Sequence, residues 1–567
     1  MFNFFSAPAH NRIFKICFTL FVLFAVTLIY RSSFVALDGV RHFVLFDDAM
    51  ISMRYADNLA HGHGLVWNIG EKVEGFTNPL TVFVMAGAIK LFGQNYASLA
   101  IQIMGLLCLI ANIFLVRRVL EKLLAERRND FLVFLGVILT MAWYPVMYWS
   151  VFGMETGYLT TLILSVIYLS LYKDTAGRPN VWISVLLSLV YLARPEGAIF
   201  IALFYIIRFF QKLSEKRGWL MVGIEATITA LPIIGYQMFR LSYYGLSVPN
   251  TYLLKATGMP LLDRVKNGLG FYQPFLNRIQ LFILPIILFF FVYLFEAGSS
   301  LKEKISNLLR GPLSYITLFV GSFAAYSAYQ VWVGGDPWPP FWRMTVPYTV
   351  LFFIAFVVTA ARLKDSFNMR TDHFMAFMSA IVCSLLVFVP FDYHYDFTRL
   401  EPYQSRNNKE NINSALVIKE LTTDKASVAT FWAGTVPYIS QRYSLDPLGK
   451  MDPHIAKLAP DLSGALSNPR GMYSIPGHNK YDLNYTFKEK SPDVIVYLAF
   501  NNHFCSWASQ NLEDWCKANY NLVEYKGTKL LLKKGSPFVL YSKITSDQYI
   551  DTRASSTSAT STKIKSK

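Results

Sequence analysis

A succession of apolar runs is the feature that most constrains how this chain can fold. Crossing the hydrocarbon core of a bilayer takes about 20 consecutive apolar residues, and the runs approach that length. Over the whole chain 53% of the residues are hydrophobic, more than a soluble core needs. The sequence therefore predicts an α-helical polytopic membrane protein with about eleven transmembrane helices. The predicted spans lie near 13–30, 97–116, 131–150, 156–172, 180–195, 197–210, 219–239, 275–297, 312–332, 344–361 and 374–390.

The first run, 13–30, begins beside the basic residues Arg12 and Lys15, which fits either a cleaved signal peptide or a first spanning helix. No small-residue cleavage pattern follows it, so a spanning helix with a cytoplasmic N-terminus is predicted. The run 80–92 is different, because counting it as a crossing would place the basic loop around Arg117 and Arg118 outside, against the positive-inside rule. It is therefore predicted to be a surface-lying or re-entrant helix.

This topology divides the chain into regions. A membrane module is predicted over 1–390, with 31–96 as its first extracytoplasmic loop and surface-lying helix. The segments 240–274 and 333–343, and everything after about 391, are predicted to lie on the same, non-cytoplasmic side of the membrane. The basic loops between the other spans fall in the cytoplasm, as the charge rule requires.

Beyond residue 390 the hydropathy falls and short β-rich runs appear at 427–431, 493–500, 522–525 and 529–532. They predict an extracytoplasmic α/β domain over 391–550. Residues 551–567 are rich in Ser, Thr and Lys with little to bury, and a disordered tail is predicted there. Cys505 and Cys516 lie in the outer domain, where an oxidising compartment would let them form a disulfide.

The net charge of +16 could indicate a nucleic-acid partner. Basic cytoplasmic loops and attraction to anionic membrane lipids explain the same excess. The expected partners are therefore membrane lipids, and no nucleic acid.

The adjacent carboxylates Asp47 and Asp48 are the leading catalytic candidates. Because like charges repel, at least one of them should have a raised pKa near an apolar surface and could accept a proton from a hydroxyl. The alternative is that an Asp here caps the N-terminus of a helix over 49–59. A pair of adjacent carboxylates is also a set of hard oxygen ligands, so a divalent metal stays open although no cofactor is required.

Other polar residues recur where the topology places the outer ends of spans, and they are candidates for binding a donor phosphate or substrate. His61 and His63 could contact an anion or serve only as hydrogen-bonding residues, and Arg194 and Glu196 could contact substrate or form a mutual ion pair. The complete set is Arg54, His61, His63, Glu74, Arg194, Glu196, Asn250, Lys255, Asp336 and Arg343.

The sequence contains no P-loop, Rossmann glycine fingerprint, HExxH or GxSxG motif, which argues against cytosolic nucleotide chemistry. It does contain, in order, FDDAMISMRYADNLAHGHGLVWN, VEGFTNPL, GMET, ARPEG, PNTYLLKA and GGDPWPPFWRMTVP, then VPYISQRYSLDPLGKMDPHIAK and IPGHNKYD. In these motifs the chain resembles the GT-C superfamily of membrane glycosyltransferases that use polyprenyl-phosphate sugars. Within it, the chain is similar to the actinobacterial terminal arabinofuranosyltransferase family and to Legionella LphB-type proteins.

The resemblance implies an inverting glycosyltransferase that moves a hexosyl or pentosyl unit from a polyprenyl-phosphate donor to an envelope glycan or lipopolysaccharide acceptor. It implies that one acid of the pair, here taken as Asp47, is the general base. It also implies that basic residues around Arg194, Lys255 and Arg343 hold the donor phosphate. The other functions consistent with the residues are a lipid or glycan transporter or flippase and a non-catalytic envelope-assembly protein.

Overall fold

The computed structural model describes residues 9–125, 130–174, 178–295, 300–311, 313–335, 342–388, 403–462, 475–496 and 510–550. Up to residue 388 the chain is mostly helical, with a small antiparallel pair of strands, Phe34–Val35 and Arg41–His42, after the first helix. Short 3₁₀ turns lie at Pro195–Gly197 and Arg343–Thr345. The helices are Ala9–Ser32, Asp47–Ala60, Pro79–Leu123, Asp130–Ala142, Tyr144–Val151, Thr156–Tyr172, Val181–Ala193, Ala198–Lys212, Gly218–Tyr244, Asn250–Ala256, Leu261–Phe295, Leu301–Arg310, Ser314–Trp332, Val346–Ser366 and Thr371–Phe388.

Each predicted apolar run contains helix, as backbone polar groups in hydrocarbon require. Five helices in the described part of the chain are long and apolar enough to cross a membrane, or seven when each bent pair counts as one span. The chain is therefore a multi-pass membrane protein. Several of the remaining apolar helices are shorter, and the total of about eleven crossings stays a prediction.

The segment 80–92 begins the Pro79–Leu123 helix, which is interrupted at Gly93. Gly93 has φ 71° and ψ 169°, a conformation that a residue with a Cβ rarely adopts. This break separates the 80–92 run from the 97–116 run, as the topology argument required. The surface-lying position of the first segment remains a prediction.

Val346–Ser366 lies at the centre of the bundle, where nearly all of its residues are buried. It packs against Asp130–Ala142, Leu261–Phe295 and Ser314–Trp332. Helices at the periphery expose large apolar side chains instead, such as Leu231 on Gly218–Tyr244 at 62%. Such a surface suits contact with lipid rather than water.

The C-terminal part forms an α/β unit around a five-stranded sheet, which confirms strands in all four predicted β-rich runs. One strand, Tyr443–Leu445, was missed. Cys505 and the predicted tail 551–567 lie outside the described residues, so the disulfide and the disordered tail stay predictions. The other cysteine of the predicted disulfide, Cys516, is buried. The strands lie in the order Tyr443–Leu445, Ser427–Ala429, Val494–Val496, Thr528–Lys533 and Tyr520–Tyr525 across the sheet. The helices of this unit are Tyr403–Leu421, Thr435–Ser440, Pro453–Ala456 and Gln510–Asn519, with a π-helix at Asn484–Glu489.

Two parallel neighbours in this sheet, Ser427–Ala429 and Tyr443–Leu445, end at the same edge. The loops that follow them, 430–434 and 446–452, reach the membrane module. Trp67 of the first loop donates its indole N–H to the Ala433 carbonyl at 3.1 Å. The α/β unit therefore docks on the module through the carboxyl ends of its parallel strands, the edge at which such sheets usually bind ligands.

Candidate active site

The Asp47–Ala60 helix carries both acids in its first turn. Its N-cap is Phe46, which makes no side-chain capping bond, so the predicted cap by an Asp of the pair is wrong. In the first turn the partial positive charge of the helix N-terminus stabilises both carboxylates. Successive residues on a helix point about 100° apart, so the two side chains meet different surroundings.

Asp47 is buried against the α/β unit. Its Oδ1 accepts the Thr435 N–H at 2.8 Å and its Oδ2 accepts the Gly434 N–H at 3.2 Å, so it caps the Thr435–Ser440 helix. A Cβ on Gly434 would lie 2.0 Å from the Asp47 carbonyl oxygen, and only glycine permits this approach. Burial raises the pKa of the Asp47 carboxyl. Asp47, taken as the general base on the family resemblance, does not line the cavity that Asp48 faces.

Asp48 lines a cavity of about 550 Å³ at the junction of the first loop, the bundle and the α/β unit. This volume lies in the range of small-molecule sites. Lining residues that can form charge or hydrogen-bond contacts are Asp48, Ser52, Thr77, Asn78, Tyr191, Arg194, Glu196, Gln237, Arg240, Ser247, Thr251, Tyr252, Lys255, Tyr329, Gln330, Arg343 and Lys450.

Cations surround the Asp48 carboxylate. Arg343 Nη1 lies 2.9 Å from Oδ2, and Lys450 Nζ lies 2.7 Å from Oδ1. Although burial raises the pKa of Asp48, the charges of Lys450, Arg343 and Lys255 outweigh burial and hold that pKa well below its ordinary value. Asp48 is therefore an ionised acceptor facing the cavity.

Lys255 lies on the same wall, at the end of the Asn250–Ala256 helix. Its ammonium makes no ion pair with any residue that the structure describes. Burial lowers its pKa to about 8, and the neighbouring cations Arg343 and Lys450 act in the same direction, against Asp48. A desolvated cation in this state gains from binding an anion, and the phosphate-binding role that the resemblance implies for Lys255 stays a prediction.

Arg194 and Glu196 also line the cavity, and they form the ion pair that was one of their two predicted roles. Arg194 Nη2 lies 2.7 Å from Glu196, and Nη1 lies 3.0 Å from Glu155. The same Nη1 donates to Thr77 Oγ1 at 3.0 Å. Two carboxylates thus balance Arg194, which leaves it less charge to offer a phosphate than Lys255.

Three predicted binding residues lie away from the cavity. Arg54 is buried and donates to the Trp67 carbonyl and to Gln441. His61 and His63 are exposed, and His61 ends its helix with Nδ1 2.9 Å from the Asp57 carbonyl oxygen. The HGHG sequence forms a helix-ending turn, so the structural alternative fits these histidines and the phosphate contact does not.

Glu74 and Asn250 support the cavity from behind instead of lining it. Glu74 is 1% exposed and its Oε2 pairs with Arg240 Nε at 2.6 Å, while the Tyr236 hydroxyl donates to Oε1 at 2.6 Å. Asn250 donates its amide to the carbonyls of Gly449 and Lys450, each at 3.0 Å. Both side chains are thus bonded within the protein and do not line the cavity, whereas the sequence predicted that they would contact a donor phosphate or substrate.

Replacing Glu74 by Gln should destabilise the protein by about 3–5 kcal/mol, because it leaves Arg240 buried without its partner. The thermal unfolding midpoint of the purified protein in detergent measures this. Glu71→Gln, an exposed acid three residues away, is the matched control and should change stability by about 1 kcal/mol or less. Equal midpoints for the two variants would show that the buried pair contributes little.

Asp336 lies outside the described residues, so its predicted role stays untested. In the described ranges no three His, Cys, Asp or Glu side chains are grouped to hold a metal ion. The cations around Asp48 also disfavour a divalent metal there.

Lys450 was not identified as a site residue from the sequence. It lies in the motif VPYISQRYSLDPLGKMDPHIAK, and its position directly after a glycine was the only feature that could have singled it out.

Comparison with curated proteins finds relatives over part of the chain. Terminal β-(1→2)-arabinofuranosyltransferase of Mycobacterium tuberculosis is 25% identical over 327 residues, covering 51% of this chain and 48% of the relative. The enzyme of the same name from Corynebacterium glutamicum is 27% identical over 231 residues, covering 37% and 33%. The match thus spans about half or less of these relatives. A family model described as a domain of unknown function (DUF8728) matches residues 400–546.

Among solved structures, ArnT from Cupriavidus metallidurans bound to undecaprenyl phosphate superposes with a TM-score of 0.52. The match covers 93% of this chain and 99% of that one at 11% identity. The chain has the GT-C fold. This confirms the fold implied by the sequence motifs, and at such low identity it shows the fold alone. The GT-C match covers nearly the whole chain, so it extends beyond the bundle into the α/β unit.

Proposed function

We propose that this GT-C chain is an inverting glycosyltransferase that moves one sugar from a polyprenyl-phosphate donor to an envelope glycan or glycolipid acceptor. The observation that carries the proposal is Asp48, an ionised carboxylate on a cavity wall shared with Arg343, Lys450 and Lys255. Glycosyl transfer from a lipid phosphate needs a base and charge for a leaving phosphate in one place. The names of the curated relatives and the lipid phosphate bound to ArnT support the same reaction class.

Asp48 is the general base in this mechanism. It accepts the proton of the acceptor hydroxyl while that oxygen attacks the anomeric carbon of the donor sugar. The bond between the anomeric carbon and the phosphate oxygen breaks on the opposite face, which inverts the configuration. Polyprenyl phosphate leaves with the bonding electron pair and gains one negative charge.

Lys255 and Arg343 stabilise that growing charge. Lys255 is the stronger candidate because Asp48 and Arg343 already pair with each other. A preorganised cation in a site shielded from water contributes most where charge develops in the transition state. The negative charge of a bound donor phosphate also offsets these cations, which raises the proton affinity of Asp48.

The cavity can also accept the start of a lipid chain. Part of its wall is apolar, with the side chains of Val248, Pro249, Ile199 and Val333. Helices nearby, such as Gly218–Tyr244, are exposed along apolar faces that suit lipid. We place this wall at the outer face of a bacterial inner membrane, with the N-terminus cytoplasmic, on the charge asymmetry of the loops.

An in vitro transfer assay tests the function. The purified chain is given a panel of polyprenyl-phosphate sugars, hexosyl and pentosyl, with envelope glycan or lipopolysaccharide acceptors. Transfer of at least one sugar with inversion is expected, and transfer should persist after exhaustive chelation because cations, not metal ligands, surround Asp48. Flux of lipid-linked sugar across proteoliposomes without glycosyl transfer would point to a flippase instead.

A further inference from the structure

The loop 446–452 carries a cation from the α/β unit into the cavity. It follows the strand Tyr443–Leu445, and the Asp446 carboxylate accepts the N–H groups of Leu448 at 3.0 Å and Met451 at 3.1 Å. These bonds fold the loop back on itself. Gly449 takes φ 75° under Ile455, where a Cβ would lie 2.5 Å from the Ile455 side chain. The next residue, Lys450, is thereby directed at Asp48.

Contacts from the membrane module hold this loop in place. The Asn250 amide bonds to the backbone carbonyls of Gly449 and Lys450. From the other direction, Lys480 of the α/β unit donates to the Leu253 carbonyl at 2.9 Å, one helical turn beyond Asn250. The position of Lys450 therefore depends on both parts of the protein.

We propose that Lys450 is a positioning residue for Asp48, so that the α/β unit completes the catalytic site instead of forming a separate domain. The inference rests on the proposed function, since it assumes that Asp48 is the base. Lys450 holds Oδ1 while Arg343 holds Oδ2, and the two contacts fix the plane of the carboxylate. The carboxylate keeps further lone pairs that can accept a proton from the acceptor.

The inference predicts a change in pH dependence. The groups that face Asp48 are Arg343, Lys255 and Lys450, which favour its ionised form, with Asp47 opposing them and His478 nearby. Burial and the cations lower the pKa of His478 to about 3, so this imidazole is neutral near pH 7. Removing Lys450 deletes one favourable charge, so the pKa of Asp48 rises and the base is lost at a higher pH.

The test measures kcat/KM for transfer against pH in Lys450→Gln and Lys450→Arg. In Lys450→Gln the rate should fall at least ~10-fold, and the acid limb should move to higher pH. Lys450→Arg keeps the charge and should restore most of the rate and the wild-type limb. Lys457→Gln, which removes an exposed cation from the same unit, should match wild type. Asn250→Leu, which loosens the loop without changing a charge, should also lower the rate.

Two results would overturn the inference: Lys450→Gln with the wild-type rate and acid limb, or Lys450→Arg as impaired as Lys450→Gln. Its failure is distinguishable from failure of the proposed function. If Asp48→Asn transfers sugar at the wild-type rate, the base is wrongly assigned. If Asp48→Asn is inactive while Lys450→Gln behaves as wild type, only the role of Lys450 is wrong.

Discussion

Replacing Asp48 by Asn is expected to lower kcat/KM for sugar transfer by about 10³-fold, because the amide cannot accept the proton of the acceptor hydroxyl. The change keeps the size of the side chain and its place on the cavity wall. Transfer is measured with the donor identified in the panel assay. Binding of polyprenyl phosphate to the variant should survive, since Lys255 and Arg343 remain.

Asp47→Asn is the matched control. The Asn carbonyl can still accept the Thr435 N–H, so most activity should remain, with a stability loss of about 1 kcal/mol from the weakened cap. An inactive Asp47→Asn beside an active Asp48→Asn would reverse the assignment. Equal loss in both would show that the pair acts as one unit.

The second large effect is expected at Lys255. Lys255→Gln should lower kcat/KM for the donor by about 10²-fold, because the phosphate loses a desolvated cation as its charge grows. Steady-state kinetics with varied donor measures this, and inhibition by polyprenyl phosphate should weaken in parallel. Lys255→Arg should retain more activity than Lys255→Gln.

Lys266→Gln serves as the control for charge alone. Lys266 is exposed at the start of the Leu261–Phe295 helix and does not line the cavity. It should leave both kinetics and product inhibition unchanged. If Lys255→Gln shows the wild-type donor KM and kcat, the phosphate is held elsewhere, and Arg343 becomes the residue to examine.

Local patterns predicted the helices well. Each apolar run contains helix because hydrocarbon leaves the backbone no other way to satisfy its polar groups. The break at Gly93 lies between the runs 80–92 and 97–116. The positive-inside rule, applied to the basic loop at Arg117, had predicted that only the second of these runs crosses the membrane. The strand Tyr443–Leu445 was missed because the charged residues Arg442 and Asp446 flank it, so that, unlike the other short strands, it lies in no longer β-rich run.

Several of the predicted site residues come together in the structure, although their roles stay predictions. Lys255, Arg194, Glu196, Asp48 and Arg343 all line the cavity. Glu74 and Asn250 do not line this cavity, because their partners come from distant parts of the chain. Glu74 meets Arg240 from 166 positions away, and Asn250 meets the Lys450 carbonyl from 200.

The sequence by itself determined that this is a multi-pass membrane protein with two adjacent acids among several charged motifs. Hydropathy and local charge suffice for that, because the bilayer selects helices by composition. Only the tertiary structure decided which acid faces the cavity. The Gly434 and Thr435 N–H groups donate hydrogen bonds to the Asp47 carboxylate. The Asp48 carboxylate is instead contacted by Lys450, which lies 402 positions further along the chain. Contacts at that separation depend on how the α/β unit docks, which no local pattern along the chain records.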